Sequence, residues 1–322
     1  MINESKHFFL EHPYEPSLRN KLLSTLYWGI AAVYRLELCI SKKPAEKEKK
    51  YKVSICAIFK DEAEVLKEWL EYHLITGIEH FYMYNNDSSD QYREILEPYI
   101  SKGQVTLVDW PGKKMQIKAY EHAIRTYRPE TKWMGFIDLD EYVVPCKERT
   151  VYDVLKKFNR KAPAVMVYWK VFGSSGIIER DTRKLIPEQF VIAYPKMTDV
   201  GKCFFNTDYE YAQGHKRNSI MHHVLWSKCG GFVIPPVNLQ NHISFPYHHH
   251  INNQLLPMQI NHYVTKSYQD YYYKTHVKTD VYFENNPRKM EQFYNIDAKC
   301  TVADYRIFRF LSQLKQALKT EE

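Results

Sequence analysis

The sequence predicts an α/β fold of the Rossmann-like type, with a mostly parallel sheet and helices on both faces. Strand-like and helix-like patterns alternate between residues 51 and 137, which is the order typical of parallel sheets. An apolar strand then leads directly into two aspartates, Asp138 and Asp140. The 322 residues, 26% of them charged and 44% hydrophobic, are enough to bury a large core. This composition excludes a disordered chain and a multi-span membrane protein.

Residues 1–50 are predicted to form a helical extension and a basic linker. Leu22–Ile40 is rich in apolar residues but contains Arg35 and Glu37. A charge at the centre of a membrane span costs about 2.5–3.5 kcal/mol, so the segment is a poor transmembrane helix. A cluster of lysines follows it, and such a helix can also lie on an anionic membrane surface. We favour a helix packed on the globular domain, with peripheral membrane contact through residues 20–50 as the alternative.

The alternation begins with Tyr51–Phe59, whose β-branched residues and period of two predict a strand. Asp61 and Glu64 have the spacing of a capping box and predict the start of a helix. The elements predicted next are a strand at His80–Tyr84, a helix ending near Tyr99, a strand at Gln104–Val108, a helix over Lys114–Tyr127 and a strand at Trp133–Ile137. Beyond Tyr142 the pattern loosens into mixed strands and loops, and Ala303–Thr320 predicts a basic amphipathic helix.

Asp138 and Asp140 end the fourth predicted strand. Side chains alternate along a strand, so both carboxylates project to one side. Ligands of open parallel sheets bind outside the carboxyl ends of the strands, which is where this pair lies. Two close carboxylates repel each other, and oxygen ligands select a hard cation such as Mn²⁺ or Mg²⁺. The pair therefore predicts a metal site, with a helix cap beside an incidental acidic neighbour as the structural alternative.

Two further polar strings are candidates for ligand contacts. Asn85–Asp90 follows the second strand and either holds a ribose or a base edge, or forms a plain turn that caps the next helix. In Asn261–Ser267, His262 is a candidate metal ligand and Lys266 a candidate phosphate contact. A lone histidine is more often structural, so this string alone decides little.

In the order of its motifs the chain resembles glycosyltransferase family 92 and the related bacterial, family 2-like glycosyltransferases of the GT-A type. The order of several motifs is far more specific than any one of them. The resemblance covers roughly residues 51–275. It rests on Cys56–Glu62, Glu68–His73, Gly77-Ile78, Tyr84–Asp90, Gln116, Trp133–Pro145, Phe172–Gly176, Glu179-Arg180, Lys202 and Asn261–Ser267.

The resemblance implies a GT-A glycosyltransferase domain at 51–275, with a nucleotide-sugar-binding half at 51–145 and an acceptor-binding half at 146–275. The remaining residues, 276–322, are expected to form a helical tail. The implied activity is that of a metal-dependent, inverting hexosyltransferase. It would move a sugar from a nucleotide-diphosphate sugar, most simply a UDP-sugar, to a glycan or lipid-linked saccharide. Such a reaction serves surface polysaccharide or lipopolysaccharide biosynthesis.

The resemblance also implies roles for individual residues. Asp138, Asp140 and His262 are expected to hold Mn²⁺ or Mg²⁺. The residues expected on the donor side are Asn85, Asp87, Ser88, Gln116, Asp138, Lys202 and Lys266. An inverting enzyme needs a base for the acceptor hydroxyl. Glu179 is the expected base, and the other candidates are Asp181, Asp208 and Glu210.

Aromatic residues make up 15% of the chain, with 26 Tyr against 11 Gly. Aromatic rings contact flat ligands such as sugars and also fill cores. The rings that are predicted either to stack on acceptor sugars or to pack in the core are Trp169, Phe172, Tyr211 and Trp226.

Charge and cysteine content bear on partners and compartment. Lys+Arg 45 against Asp+Glu 38 gives a net charge of +7, which is spread along the chain and comes with no recognition motif for nucleic acid. The six cysteines form no CxxC pair, and Met1–Arg19 is polar, so we expect a reducing cytoplasm, with a peripheral position at the inner face of the cytoplasmic membrane as the alternative. The alternative functions are a non-catalytic glycan- or membrane-binding protein on a transferase scaffold and a haloacid-dehalogenase-type phosphotransferase. The phosphotransferase is disfavoured because its nucleophilic aspartate follows the first strand.

Overall fold

The computed structural model describes residues 8–9, 18–246, 248–252, 255–277 and 287–319. Its strands are β1 Phe8–Phe9, β2 Tyr51–Phe59, β3 His80–Asn85, β4 Val105–Asp109, β5 Thr131–Phe136, β6 Glu141–Pro145, β7 Ala164–Val171, β8 Ile192–Ala193, β9 Met197–Thr198, β10 Gly201–Asn206, β11 Glu210–Tyr211, β12 Ser227–Cys229, β13 Phe232–Ile234, β14 Val237–Asn238, β15 Met258–His262 and β16 Val302–Ala303. Its helices are α1 Leu18–Ile40, α2 Ala63–Ile75, α3 Tyr92–Ser101, α4 Gln116–Tyr127, α5 Val151–Leu155, α6 Ile186–Gln189, α7 Tyr268–His276, α8 Met290–Asp297 and α9 Leu311–Lys319. Short 3₁₀ turns lie at Lys156–Phe158, Lys216–Ile220 and Arg306–Phe310.

The central sheet has the strand order β4-β3-β2-β5-β10-β7-β15-β6, and β14 also pairs with β7. The strands β4, β3, β2 and β5 are parallel to their neighbours, as expected for strands joined by crossover helices. β10 is antiparallel to both β5 and β7, whereas β15 is parallel to β7 and antiparallel to β6. The predicted fold class, a mostly parallel sheet flanked by helices, is confirmed. The carboxyl ends of β2 and β5 consequently lie side by side.

The parallel half follows the sequence prediction closely, and β2 occupies the predicted residues. One detail is wrong: α2 begins at Ala63, and its N-cap Glu62 makes no side-chain capping bond among the described residues. The Asp61 carboxylate instead accepts a hydrogen bond from the Ser89 backbone N–H at 2.7 Å, and Asp61 has a left-handed φ of 52°. Asp61 therefore joins the loop after β2 to the turn after β3, and it is not available for capping.

The C-terminal region differs from the single helix predicted at Ala303–Thr320. Val302–Ala303 forms β16, which pairs with β8, and the α-helix begins only at Leu311. Thr320 lies outside the described residues. Leu314 of α9 is buried, and α9 packs against α2. The edge of β8 and the surface of α2 therefore divide a segment whose pattern alone reads as one helix.

The helix α1 covers the predicted apolar segment and has two unlike faces. Ala31 and Leu38 are buried on the globular domain, and the ring of Tyr34 lies 5.4 Å from that of Trp226. The other face has five apolar side chains that are each more than half exposed. This outer stripe consists of Leu22, Leu26, Val33, Leu36 and Ile40. Among the described residues, no helix has the length and apolar character needed to cross a bilayer.

Candidate active site

A cleft of about 250 Å³ opens outside the carboxyl ends of β2 and β5. Open parallel sheets bind ligands in this position because the loops that follow adjacent strands diverge there. The loops after β2 and β5 and the segment from β15 into α7 supply most of the walls. The charged residues that line the cleft are Lys60, Asp61, Glu62, Glu64, Asp138, Asp140, Arg180, Lys266, Asp270, Lys274 and Arg288.

Asp138 lies two residues beyond β5, and its carboxylate is held on both oxygens. Oδ1 accepts hydrogen bonds from the Gln116 amide at 3.1 Å and the Tyr120 hydroxyl at 3.3 Å. Oδ2 lies 2.6 Å from Nζ of Lys202, whose side chain is fully buried. Burial disfavours the charge of Lys202, but Asp138 and Glu141 outweigh it and raise the pKa of Lys202. The Asp138 carboxylate is therefore held in a fixed position, and the buried ammonium of Lys202 pairs with it from the protein interior.

Asp140 also lines the cleft, and its partners are different. Nζ of Lys274 lies 2.8 Å from Oδ2, and Nε2 of His262 lies 3.6 Å from Oδ1. Burial would raise the pKa of Asp140, but Lys274 and His262 outweigh it and hold that pKa well below its ordinary value. Asp140 is consequently ionised at neutral pH and carries its negative charge into the cleft.

The guanidinium of Arg180 is positioned by two carboxylates of the cleft wall. Its Nη2 pairs with Glu64, and its Nε donates to Oδ1 of Asp270 at 3.0 Å. Burial disfavours the charge of Arg180, but Asp270 and Glu64 outweigh it and raise its pKa. Lys266 has a left-handed φ of 51°, a conformation that costs non-glycine residues on the order of 1–3 kcal/mol. Cations held in fixed positions suit an anionic ligand such as a diphosphate.

Comparison with known families places this cleft in context. The profile of glycosyltransferase family 92 matches residues 49–304, which is most of the chain. The chain belongs to glycosyltransferase family 92. The matched range begins just before β2 and ends just after β16, so it includes the whole central sheet and the cleft.

Some curated relatives carry the same family name, and others are named as galactosyltransferases. A glycosyltransferase family 92 protein of Oryza sativa subsp. japonica is 31% identical over 116 residues, which are 36% of this chain and 20% of the relative. Galactan beta-1,4-galactosyltransferase GALS3 of Arabidopsis thaliana is 31% identical over 106 residues, 29% of this chain and 21% of that protein. The alignments thus span about a fifth of the length of these relatives. Among solved structures, S. aureus TarS 1–349 has a TM-score of 0.35 and 14% identity, over 48% of this chain and 47% of that chain.

The side chains of this family 92 member fit a divalent cation. The structure brings Asp140, Glu141 and His262 together, with ligand atoms that all lie within 4.8 Å of one another. Two carboxylates and an imidazole suit Mn²⁺ and related ions. The buried Oε1 of Glu141 has no hydrogen-bond partner in the described part of the chain, and Nζ of Lys202 stays 3.6 Å away. Asp138, which was also expected to hold the ion, is not in this set; its backbone N–H donates to Oε2 of Glu141 at 3.0 Å.

Glu141 is the member of this set that the sequence analysis did not assign. Its side chain is fully buried, and Oε2 accepts a hydrogen bond from the Asp138 backbone N–H at 3.0 Å. Burial raises the pKa of Glu141 well above its ordinary value, although Lys202 opposes the shift. The signal for Glu141 was present as a third acidic residue directly after the strand. Lys274 and Arg180 were also unassigned, because their sequence positions are far from the aspartates that they approach.

The structure places the predicted donor-side residues in different settings. Gln116 and Lys266 line the cleft. Lys202 lies beneath Asp138 and supports that carboxylate from the interior. Its neighbour Gly201 allows β10 to lie close to β7, since a Cβ at this position would be 1.9 Å from the Val167 carbonyl oxygen.

The turn after β3 holds the other predicted donor-side residues. Asn85, Asp87 and Ser88 lie outside the cleft lining. Oγ of Ser88 accepts a hydrogen bond from the Asp61 backbone N–H at 3.0 Å. The turn is therefore fastened to the cleft wall through Asp61, which does line the cleft.

The predicted base and the predicted stacking rings also differ in where they lie. Glu179 is exposed and is outside the cleft lining, although its neighbour Arg180 is part of it. Asp208 pairs with Lys132 at the opposite end of β5. The core-packing alternative holds for the four aromatic candidates, which lie in the core or pack against it: Trp169, Phe172, Tyr211 and Trp226. The cleft instead presents the ring of Tyr273, which is 54% exposed.

Proposed function

We propose that this chain is a metal-dependent, inverting glycosyltransferase of the hexosyltransferase type, with a nucleotide-diphosphate sugar as donor. Membership of family 92 supports the reaction class. The observation that carries the proposal is that Asp140, Arg180 and Lys266 line one cleft at the carboxyl ends of parallel strands, with His262 3.6 Å from Asp140. That cleft combines cation ligands with anion-binding side chains, which is what a metal-bound diphosphate requires.

Asp140, Glu141 and His262 would hold a Mn²⁺ or Mg²⁺ ion, which when bound neutralises charge on the diphosphate leaving group. Asp138 is 33% exposed, and its carboxylate has acceptor capacity beyond the partners that fix it. We assign Asp138 a hydrogen bond from a donor hydroxyl. Arg180 and Lys266 bind phosphate oxygens from the cleft wall. Asn85, Asp87 and Ser88 form the side on which we place the nucleoside, and a UDP-sugar is the donor we test first.

The acceptor in this proposal is a glycan or a lipid-linked saccharide that enters past Tyr273. A tyrosine ring presents an apolar face and a polar edge, and both can contact a sugar. The base for the acceptor hydroxyl stays assigned to Glu179, as the family resemblance implies. Replacing Glu179 with Gln should lower kcat by about 10²-fold or more if this residue takes the proton. Unchanged transfer would move the role to a carboxylate that lines the cleft.

The experiment that tests the function is donor hydrolysis. Purified protein is incubated with UDP-, GDP- and CMP-sugars, with Mn²⁺ or with EDTA, and released nucleotide is measured. Release from one donor that is lost in EDTA would support the proposal and name the donor. If no donor is hydrolysed, calorimetric titration with UDP and Mn²⁺ separates a requirement for acceptor from an absence of donor binding. Failure to bind would favour the alternative, a non-catalytic glycan- or membrane-binding protein on this scaffold.

We further propose that α1 contacts an anionic membrane surface. Support comes from the outer stripe, which is apolar and faces away from the domain, and from the exposed Lys42, Lys47 and Lys50 that follow the helix. The variant Leu26→Ser/Leu36→Ser should lose binding to anionic vesicles without loss of stability. Ile178→Ser/Leu255→Ser, which removes two exposed apolar side chains elsewhere, should bind as the wild type does. Equal vesicle binding by both variants would remove α1 from the contact.

We also propose a compartment, which is supported by this proposed contact and by the cysteines. The six cysteines are all free thiols, which suits a reducing compartment. We therefore place the protein in the cytoplasm, peripherally at the inner face of the cytoplasmic membrane, and in surface polysaccharide or lipopolysaccharide biosynthesis. Cell fractionation tests this location, and recovery outside the cytoplasm would contradict it.

A further inference from the structure

Lys274 occupies the carboxylate on which the proposed metal site depends. Its Nζ lies 2.8 Å from Oδ2 of Asp140 and donates to the Val264 carbonyl at 3.3 Å. Its side chain is 24% exposed, so the ammonium is at the border between the cleft and the protein. The other carboxylate oxygen, Oδ1, faces Nε2 of His262 at 3.6 Å. Both oxygens of Asp140 therefore have a cation or an imidazole beside them.

The helix α7 fixes the direction from which Lys274 approaches. Ser267 and Asp270 form a capping box at the start of α7, and Oδ1 of Asp270 accepts from Nε of Arg180. Asp270 and Lys274 are four residues apart, so they share one face of the helix. That face lines the cleft. The capping box and the contact with Arg180 therefore hold in place the helix whose last turn carries Lys274.

A divalent cation on Asp140 conflicts with this arrangement. An ammonium group has three donors and no acceptor, so Lys274 cannot serve as a ligand. Like charges at contact distance repel strongly in a partly buried site. The side chain of Lys274 has four flexible carbons, and movement of its end group needs no movement of α7.

We propose that Lys274 is a positioning residue that competes with the divalent cation for Asp140. This inference rests on the proposed function. On cation binding the ammonium leaves Oδ2 of Asp140 and pairs, from the same cleft wall, with the diphosphate of the donor. The free protein then binds the cation weakly, and nucleotide diphosphate strengthens that binding. By reciprocity, the cation strengthens nucleotide binding by the same factor.

The test is the affinity of the full chain for Mn²⁺ alone, measured by calorimetry or by paramagnetic relaxation at neutral pH. Replacing Lys274 with Met should tighten binding of Mn²⁺ by roughly ten- to hundredfold, which corresponds to the loss of one competing charge-assisted hydrogen bond. The same variant should lose most of the strengthening that UDP gives to Mn²⁺ binding. Lys274→Arg keeps a cation on the helix and should stay near the wild type.

The matched control is Lys60→Met. Lys60 lines the same cleft, and its loss removes the same charge at a different position. A general electrostatic effect would tighten Mn²⁺ binding equally in both Met variants, and that result would overturn direct competition. Weaker or unchanged Mn²⁺ binding in Lys274→Met, with a normal unfolding transition, would also overturn it. Absence of Mn²⁺ binding in every variant would overturn it as well, and donor hydrolysis in EDTA would then show whether the transferase proposal stands without a metal.

Discussion

The two ends of the β5–β10 pair carry the same ion pair in two different settings. These strands are antiparallel neighbours. The second residue of each strand is a lysine, and it pairs with an aspartate that lies two residues beyond the C-terminal end of the neighbouring strand. At the cleft end Lys202 pairs with Asp138, and at the opposite end Lys132 pairs with Asp208. Both lysines are buried, but Asp138 is 33% exposed whereas Asp208 is 2% exposed.

The difference comes from what surrounds each pair. At the cleft end, the loops after parallel strands diverge, and Gln116 and Tyr120 bind Asp138 without covering it. At the opposite end, Asp208 is enclosed, and its Oδ1 has no hydrogen-bond partner among the described residues. A Lys–Asp pair is therefore enclosed by the protein at one end of the sheet, and at the other end it presents a carboxylate to the cleft. An ion pair at the carboxyl ends of the parallel strands thus leaves its carboxylate open to the cleft, whereas the pair at the opposite end is enclosed.

The largest expected effect is a loss of activity from a substitution at the cleft end. Replacing Asp140 with Asn should reduce transfer by about 10³-fold or more, because the cleft loses a charge that the proposed metal site requires. Thermal unfolding should remain cooperative, with a midpoint lowered by the loss of the charge that pairs with Lys274. The control Asp208→Asn, at the opposite end, should leave kcat per folded molecule unchanged. An equal loss of kcat in both variants would contradict the functional difference between the two ends of the sheet.

The next effect concerns stability at the closed end. Replacing Asp208 with Ala leaves the Lys132 ammonium buried, and breaking a buried pair from one side costs about 3–5 kcal/mol of unfolding free energy. We expect the lower part of that range, since Glu46 remains 3.2 Å from Lys132. Urea denaturation measures the loss. The double variant Lys132→Met/Asp208→Leu should recover most of it, and a single-variant loss as small as that of a surface pair would contradict the assignment.

Acid should act on the cleft end through His223. Its Nδ1 lies 2.7 Å from the Gly201 carbonyl oxygen, and burial together with Lys202 lowers the pKa of His223 from 6.5 to about 3. The unfolded chain therefore takes up a proton at this position as the pH falls below 6.5, while the folded protein does not. Unfolding free energy is thus lost as the pH falls toward 3. In His223→Gln the decline in unfolding free energy between about pH 7.5 and pH 5 should be shallower, and an identical decline would contradict this.

The smallest effect tests the proposed acceptor side of the cleft. Replacing Tyr273 with Ala should raise KM for the acceptor about tenfold, the size expected for loss of one aromatic contact. Donor hydrolysis should be unchanged. The neighbouring Tyr272 stacks on His276 at 4.1 Å and is also exposed, so Tyr272→Ala is the matched control. A change of KM in both variants would indicate a general disturbance of α7.

The parallel half of this protein and the two aspartates at its edge can be read from the amino-acid sequence alone. Period-two strands and amphipathic helices are local patterns, and the position of Asp138 and Asp140 after an apolar strand follows from counting along the chain. The sequence also offered His262 as a candidate metal ligand and the resemblance supported it; the structure places it beside Asp140.

The side chains that contact those aspartates become visible only in the folded chain. Lys274 reaches Asp140 across 134 positions of sequence, and Lys202 reaches Asp138 across 64. Such distances are closed by the order of strands in the sheet, not by local pattern, because each strand carries its charged residues to one end of the sheet or the other. Asp208 and Lys202 were both candidates for the cleft on sequence grounds, because local pattern does not show to which end of the sheet a residue belongs. In the structure Lys202 is buried beneath the cleft, and Asp208 lies at the opposite end of the sheet.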